Sequence, residues 1–325
     1  MVASQAVFPL IPAMQPEGRL MSPQSRSSRR DFLKQAAGAS AVFAAPLILP
    51  RTVFGANDRV SLGFIGVRNQ GTNNLKGFLK QNVAITAIGD VDSEVGAAAV
   101  DLVKKQGHEA PLFGDYRKLL ERKDVDAVVI TVPDHWHARM TMDACAAGKD
   151  VYCEKPLSLT IREGRRMVDA ARKYNRVVQT GSQQRSAKEF RTACELVRSG
   201  AIGKVHTVLA GVPKPNNPTE LPPDSDPPAE LNYDMWLGPA PWRPYNEKRV
   251  HYNFRFWWDY SGGQMTNFGA HHFDIAQWAL GMDDSGPVAT EGTATFNAQK
   301  LYEVTETFRL THTYANGAKL IAGQQ

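Results

Sequence analysis

Five short apolar runs, at 60–65, 83–88, 127–131, 150–153 and 177–179, alternate with five segments of helical period, at 73–81, 93–106, 116–122, 136–147 and 161–174. No other feature of the chain restricts its fold as much. The runs are β-branched and apolar at successive positions, so both of their faces must be covered, as in a parallel sheet between two layers of helices. In the last helical segment Ile161, Met167, Val168 and Ala171 share one face. Repeated β-α units without internal sequence repeats predict an α/β domain on a doubly wound Rossmann sheet.

The first run passes directly into Gly66-Val67-Arg68-Asn69-Gln70-Gly71 and then a helix. This is G-x-G-x-x-G with Arg68 in place of the middle glycine. Gly66 makes the tight turn out of the strand, and Gly71 lets the helix pack against the sheet. A middle glycine lets backbone approach a pyrophosphate; an arginine there swings aside, adds a charge-assisted phosphate contact, or weakens binding. The second run ends at Asp90, 19 positions after Gly71, where an acidic residue meets the adenosine ribose. Its charge repels a 2′-phosphate, so NAD is expected rather than NADP. Asp92 reads as the solvent-facing member of the pair. Gly66, Arg68, Asn69, Gly71 and Asp90 are the candidate cofactor residues on this side.

Charge decides what the chain does not do. Six Lys/Arg against Glu17 and Asp31 put +4 of the formal +5 into residues 1–56 and leave the body near neutral at +1. A phosphate-tracking basic surface, and with it nucleic-acid binding, is not expected. The basic excess precedes an apolar run of small residues at 36–49, the layout of an export signal, and Arg29-Arg30 with Phe32 and Leu33 behind them resembles a twin-arginine signal. Lys34, Gln35, Ser40 and Pro46 interrupt that run, and it is shorter than the ~20 residues of a membrane span. Export to the periplasm is expected, with Met1 or Met21 as the start and cleavage after Ala44, Ala45 or Ala56. Three cysteines without C-x-x-C give neither a disulfide scaffold nor a zinc ribbon, and read as buried small side chains.

Thr131-Val132-Pro133-Asp134-His135-Trp136-His137 follows the third run, and Cys153-Glu154-Lys155-Pro156 ends the fourth. Both lie at carboxyl ends of strands, where open α/β sheets bind ligands. His135 and His137, with Cys153 nearby, raise a metal reading, but no acidic partner completes a ligand set and no metal is expected. Lys155, held by Pro156 on a strand-end loop, can point its ammonium at a substrate hydroxyl and stabilise alkoxide character as hydride leaves the carbon. Glu154 orients it or touches the cofactor.

The T-x-P-x-x-x-H turn, Glu-Lys-Pro, and a distant G-A-H-x-x-D at 269–274 resemble, in that order, the glucose–fructose oxidoreductase and inositol dehydrogenase (Gfo/Idh/MocA) family, from about residue 59 to the end. The resemblance implies a nicotinamide-binding Rossmann domain, with Pro133 and His137 near the nicotinamide half. It implies a second α/β domain on a large, open, mostly antiparallel sheet that completes the pocket and carries the homo-oligomer contact. Three regions are expected: a signal and linker at 1–56, the Rossmann domain at 57–182, and the second domain at 183–325. Members of that family continue beyond the length seen here, so the second sheet is expected to be unfinished.

In the second region, 213–244 holds ten of the chain's twenty prolines, and Trp236, Trp242, Trp257 and Trp258 fall in or just after it. Such a segment is a flap whose aromatic faces stack on sugar rings, or a loop anchored by those side chains. At 262–280 a helical reading places Asn267, His271 and Asp274 on one face, towards one pocket. His271 suits a general base for a hydroxyl proton, and Asp274 a substrate ligand. The resemblance expects aspartate four before this histidine; Asn267 can orient the imidazole but cannot stabilise its charged form. His272 reads as structural. The expected activity is NAD-dependent oxidation or reduction of a sugar, polyol or related carbohydrate. The alternatives are an NAD-dependent glycosidase that oxidises, eliminates, hydrates and re-reduces, and a non-catalytic paralogue.

Overall fold

The computed structural model describes residues 59–324. The signal expected over 1–56 lies outside them. The first half is built from β1 (Val60–Ile65), α1 (Asn69–Phe78), β2 (Val83–Gly89), α2 (Ser93–Lys104), β3 (Leu112–Phe113), α3 (Tyr116–Leu120), β4 (Ala127–Ile130), α4 (Asp134–Ala146), β5 (Asp150–Glu154), α5 (Ile161–Lys173) and β6 (Val178–Gly181). The strands form one sheet in the order β3-β2-β1-β4-β5-β6, parallel throughout. This is the doubly wound order in which the chain reverses direction between β1 and β4, opening a crevice at their carboxyl ends.

The apolar runs are buried on both faces as expected. Phe64, Leu75, Ile85, Ile88 and Val103 fill one side. Ile65, Val128, Ile130, Trp136 and Cys153 fill the other. Helix starts are fixed by capping. Asp92 accepts from Val95 N at α2, and Thr160 and Glu163 form a reciprocal capping box at α5. Cys145, Cys153 and Cys194 are all buried.

A 3₁₀ turn (Gln183–Ser186) and α6 (Lys188–Arg198) lead to the second half: β7 (Thr207–Val212), α7 (Tyr233–Leu237), a 3₁₀ helix (His251–Phe256), α8 (Gly263–Asn267), α9 (Gly269–Ala279), β8 (Ala289–Phe296), β9 (Thr305–Thr313) and β10 (Lys319–Gln324). Its sheet runs β7-β10-β9-β8, with β10 parallel to β7 and antiparallel to β9, and β9 antiparallel to β8. Ala276 of α9 packs on Ala210 and Leu320 of this sheet and on Tyr314, just past β9. β8 is exposed along its whole length.

The proline-rich segment is anchored rather than loose. Leu231, Tyr233, Trp236 and Leu237 join Phe254, Phe256, Trp257, Tyr260, Tyr302 and Val304 in one aromatic core. Trp236 and Trp257 are therefore anchors, while Trp242 (73% exposed) and Trp258 face solvent away from the crevice. The segment is stitched to the Rossmann half by a bridge between Asp92 and Leu231 and by Ser93 N donating to Glu230 O. Two elements depart locally from expectation. The first helix starts at Asn69, four residues earlier than its apolar period, and the helix expected across 262–280 breaks at Phe268. Among the described residues no helix is long and apolar enough to cross a membrane.

Candidate active site

The crevice at the carboxyl ends of β1, β2, β4 and β5 is roofed by the aromatic segment of the second half. Its near end is the turn after β1. Gly66 has φ +82°, and a Cβ there would overlap the Thr131 carbonyl; one on Gly71 would overlap the Gly66 carbonyl. Both positions require glycine for close approach. Arg68, by contrast, sits in the ordinary extended region at φ −79°, ψ 157°, so the middle position accepts a side chain without backbone strain. Asn69 opens α1 at φ +35°.

Arg68 swings away from the turn and pairs with Asp92. That corrects the reading of Asp92 as solvent-facing: it is buried, caps α2 and holds the guanidinium across the mouth of the crevice. Asp90 Oδ2 accepts from Val67 N at 2.8 Å and Oδ1 from Asp92 N at 3.0 Å. Burial raises its pKa, against the lowering pull of those amides. The carboxylate thus braces the turn as well as lining the crevice. These features fit a dinucleotide: a glycine cradle at the helix start, an acid at the end of β2, and a cation near the phosphate end.

At the far end Lys155, just past β5, donates to Asn267 Oδ1 at 2.9 Å and to the Asn267 carbonyl at 3.1 Å. Asn267 in turn donates to Gln264 Oε1 at 3.0 Å. An ammonium has three donors, so one is left for a third partner. Burial pulls the Lys155 pKa down; the nearby Asp134 carboxylate pushes it up. His271 has its pKa lowered to about 4, first by burial and next by the Lys155 ammonium. Its imidazole is therefore neutral at neutral pH, and Nδ1 is buried without a hydrogen-bond partner among the described residues.

Several expected placements are corrected by the geometry. The helix is interrupted at Phe268, between α8 ending at Asn267 and α9 starting at Gly269, and Asn267, His271 and Asp274 do not line one pocket. Asn267 lines the crevice, whereas His271 and Asp274 do not. Asp274 is held by Arg185 in a two-pronged pair at 2.7 and 2.8 Å, which leaves little of the carboxylate for a substrate. His272 Nδ1 lies 2.5 Å from the Gly211 carbonyl and ties α9 to β7. His137 is fully buried, its Nδ1 donating to the Pro156 carbonyl at 2.6 Å, so it shapes the Lys155 loop from behind rather than lining the crevice. Pro133 does line it. His135 packs among Trp136, Trp236 and Tyr260, with Nε2 3.1 Å from the Trp236 carbonyl. Glu154 accepts from Asn74 Nδ2 at 2.9 Å and from Lys155 N at 3.2 Å, orienting the lysine's backbone rather than its ammonium.

Some residues of the site carry no spacing signal. Asn74, four after Gln70 on α1, reaches across to Glu154. Asp134 opens α4, is fully buried, and accepts from Ser261 Oγ of the other half; its burial raises its pKa. Arg255 enters from the 3₁₀ helix of the aromatic segment.

Comparison with known proteins agrees with this fold. A family model described as "Oxidoreductase family, NAD-binding Rossmann fold" matches residues 60–182, and one described as "Oxidoreductase family, C-terminal alpha/beta domain" matches 216–325. A Glycosyl hydrolase family 109 protein of Shewanella baltica (strain OS155) is 30% identical over 201 residues, covering 54% of this chain and 44% of that protein; the chain thus spans less than half its length. Among solved structures, GenD2 from gentamicin A biosynthesis, in complex with NAD, aligns with a TM-score of 0.64 at 20% identity, over 82% of this chain and 66% of that one. The myo-inositol 2-dehydrogenase of Lactobacillus plantarum aligns with a TM-score of 0.62 at 21% identity, over 82% and 69%. At these identities the two structures speak for the fold.

Proposed function

The chain belongs to the Gfo/Idh/MocA oxidoreductase family, with that family's NAD-binding Rossmann fold over residues 60–182, and from this we propose that it oxidises or reduces a CH–OH carbon of a sugar, polyol or related carbohydrate. The observation that carries the proposal is the Lys155 ammonium, held by Asn267 at the far end of a crevice whose near end is the glycine turn. NAD, when bound, supplies the hydride acceptor or donor. Gly66, Asn69, Gly71 and Asp90 would hold its adenosine and phosphate half, with Arg68 beside them, and Pro133 would face the nicotinamide half.

Lys155 directs its remaining N–H to the substrate oxygen and stabilises the negative charge that develops there. His271, neutral and with Nδ1 unpartnered among the described residues, carries the hydroxyl proton away. The imidazole does not line the crevice, so the transfer runs in two steps: the Lys155 ammonium gives a proton to His271, releasing one of its bonds to Asn267, and the amine so formed takes the hydroxyl proton. Burial, by easing proton loss from Lys155, favours that relay. Asp134, buried on the same side, supplies the negative charge that Asn267 lacks.

We propose further that residues 1–56 direct export by the twin-arginine route, that the domains divide at 57–182 and 183–325, and that copies associate through the second sheet, whose β8 is exposed. Free NAD is scarce outside the cytoplasm, so the cofactor should leave with the protein and recycle in place. The test is to denature purified protein, look for released nicotinamide nucleotide, and follow NADH absorbance with a panel of sugars and polyols. Protein that carries no nucleotide and binds none on titration would sink the assignment.

One second reading has a specific observation behind it: the 30% identical relative from S. baltica is named as a glycosyl hydrolase. On that reading the same Lys155 and His271 serve a cycle with no net redox change. Release of sugar from a nitrophenyl glycoside without accumulating NADH, lost in Lys155→Ala, would select it over the dehydrogenase.

A further inference from the structure

Arg255 is the one crevice-lining residue whose charge the preceding chemistry leaves unused. Its guanidinium carbon lies 4.3 Å from the centroid of the Tyr252 ring and 4.7 Å from that of Phe254. Nη1 donates to the Tyr252 carbonyl at 2.5 Å. These contacts fix the plane of the fork and leave Nε and Nη2 without a protein acceptor among the described residues. No carboxylate lies within 4.0 Å of it among the described residues, although four line the same crevice. Each of those four is engaged elsewhere: Asp90 by Val67 and Asp92 amides, Asp92 by Arg68, Asp134 by Ser261, and Glu154 by Asn74. A partly buried guanidinium in this condition wants an anion from outside the protein.

We propose that Arg255 reads a carboxylate on the substrate, so that the carbohydrate accepted here is a sugar acid. This rests on the reading of the crevice as an oxidoreductase site, and names its substrate class. Position separates the substrate from the cofactor phosphates as the anion concerned. Arg255 lies at the lysine end: its 3₁₀ helix packs against α8, whose Asn267 holds the Lys155 ammonium, and the Asp134 carboxylate acts on both cations. The phosphate end has its own cation in Arg68, beside the glycine turn. A planar fork with two free edges matches a planar carboxylate in two parallel hydrogen bonds, a geometry that lysine cannot reproduce. Lys155 then addresses a hydroxyl of the same molecule while Arg255 fixes its acidic end.

The test is calorimetric titration of NAD-loaded protein with matched pairs: glucose and glucuronate, galactose and galacturonate, mannose and mannuronate, with glucose 6-phosphate alongside. The expected result is that at least one uronate binds about 10- to 100-fold more tightly than its neutral hexose, the worth of one charge-assisted contact. Arg255→Gln should erase that preference, Arg255→Lys should keep only part of it, and NAD affinity should stay within about twofold in both. Equal binding of acid and neutral sugar, no binding of any uronate, stronger binding of the phosphate, or a preference that survives Arg255→Gln each overturns the proposal. A loss of NAD affinity in Arg255→Gln also overturns it, by assigning the guanidinium to the cofactor. NADH fluorescence on the same samples tests the oxidoreductase reading separately: a uronate preference without hydride transfer keeps the ligand class and removes the reaction.

Discussion

Replacing Asn267 by Asp puts a carboxylate four residues before His271, and the structure sets what it should do. Asn267 Oδ1 accepts from the Lys155 ammonium at 2.9 Å. At an effective dielectric of about 20, a full negative charge at that separation attracts the ammonium by roughly 6 kcal/mol. Desolvating a carboxylate at a position only 9% exposed takes back several kcal/mol. Gln264 must also turn its amide over to face the new acceptor, giving up its 3.4 Å bond to the Lys214 carbonyl. Folding stability should therefore change by no more than about 1 kcal/mol. The titration of His271 should move much further. Its pKa of about 4 reflects burial first and repulsion by Lys155 second, and an opposite charge beside that pair raises it by about 1–3 units. The imidazole should then take up its proton as pH falls through roughly 5–7, instead of staying neutral down to about 4. Nitrogen-15 spectra of labelled imidazoles, with His271 assigned by its absence in His271→Gln, read this directly and need no substrate. A wild-type midpoint at the ordinary value near 6.5, or an unmoved one in Asn267→Asp, refutes the coupling of imidazole to ammonium.

Three further outcomes follow from the same geometry. Gly71→Ala drives a Cβ into the Gly66 carbonyl, a backbone atom that cannot rotate aside; NADH fluorescence titration should show affinity falling more than about 100-fold, roughly 3 kcal/mol of lost complementarity. Asp90→Ala removes the charge that repels a 2′-phosphate, and the ratio of NADP to NAD affinity should rise at least about tenfold, with some loss of both because Val67 N loses its acceptor. His135 is fully buried with its pKa lowered to about 4 by burial, below an unfolded value near 6.5. The unfolded chain therefore binds the proton first, and stability present above pH 6.5 is lost progressively down to about pH 4, by about 3 kcal/mol. Urea midpoints across that window should fall less steeply in His135→Phe, where the Trp236 carbonyl keeps its bond from Trp136 Nε1.

The Rossmann half was legible because its signals are local. Strand runs, helical periods, the two obligatory glycines and Asp90 are set by neighbours a few residues apart, and they place the crevice without knowledge of any distant contact. The two-residue β3 was missed because Leu112–Phe113 is too short to show a period. The start of α1 was set four residues late because Asn69 to Thr72 carry no apolar face. Asp92 was misjudged for a different reason: its partner Arg68 and its neighbour Leu231 come from other elements.

The catalytic end shows where such reading fails. Spacing of four and three places Asn267, His271 and Asp274 on one helical stripe, but contacts from distant elements decide what each of them meets. Phe268 stands where the helix is interrupted, with Gly269 packed directly against Phe273. Asn267, on one side of the interruption, holds Lys155, and Asp274, on the other, pairs with Arg185. A charge expected to face the substrate is thereby consumed in joining the second half to the 3₁₀ turn after β6. At the lysine end the crevice holds two cations, Lys155 and Arg255, and two buried carboxylates, Asp134 and Glu154, each already hydrogen-bonded within the protein. A site for neutral sugars has no need of a guanidinium left without a carboxylate partner. One that must hold an acid while drawing a proton from its hydroxyl does, since the substrate's carboxylate supplies the ion pair that the protein does not.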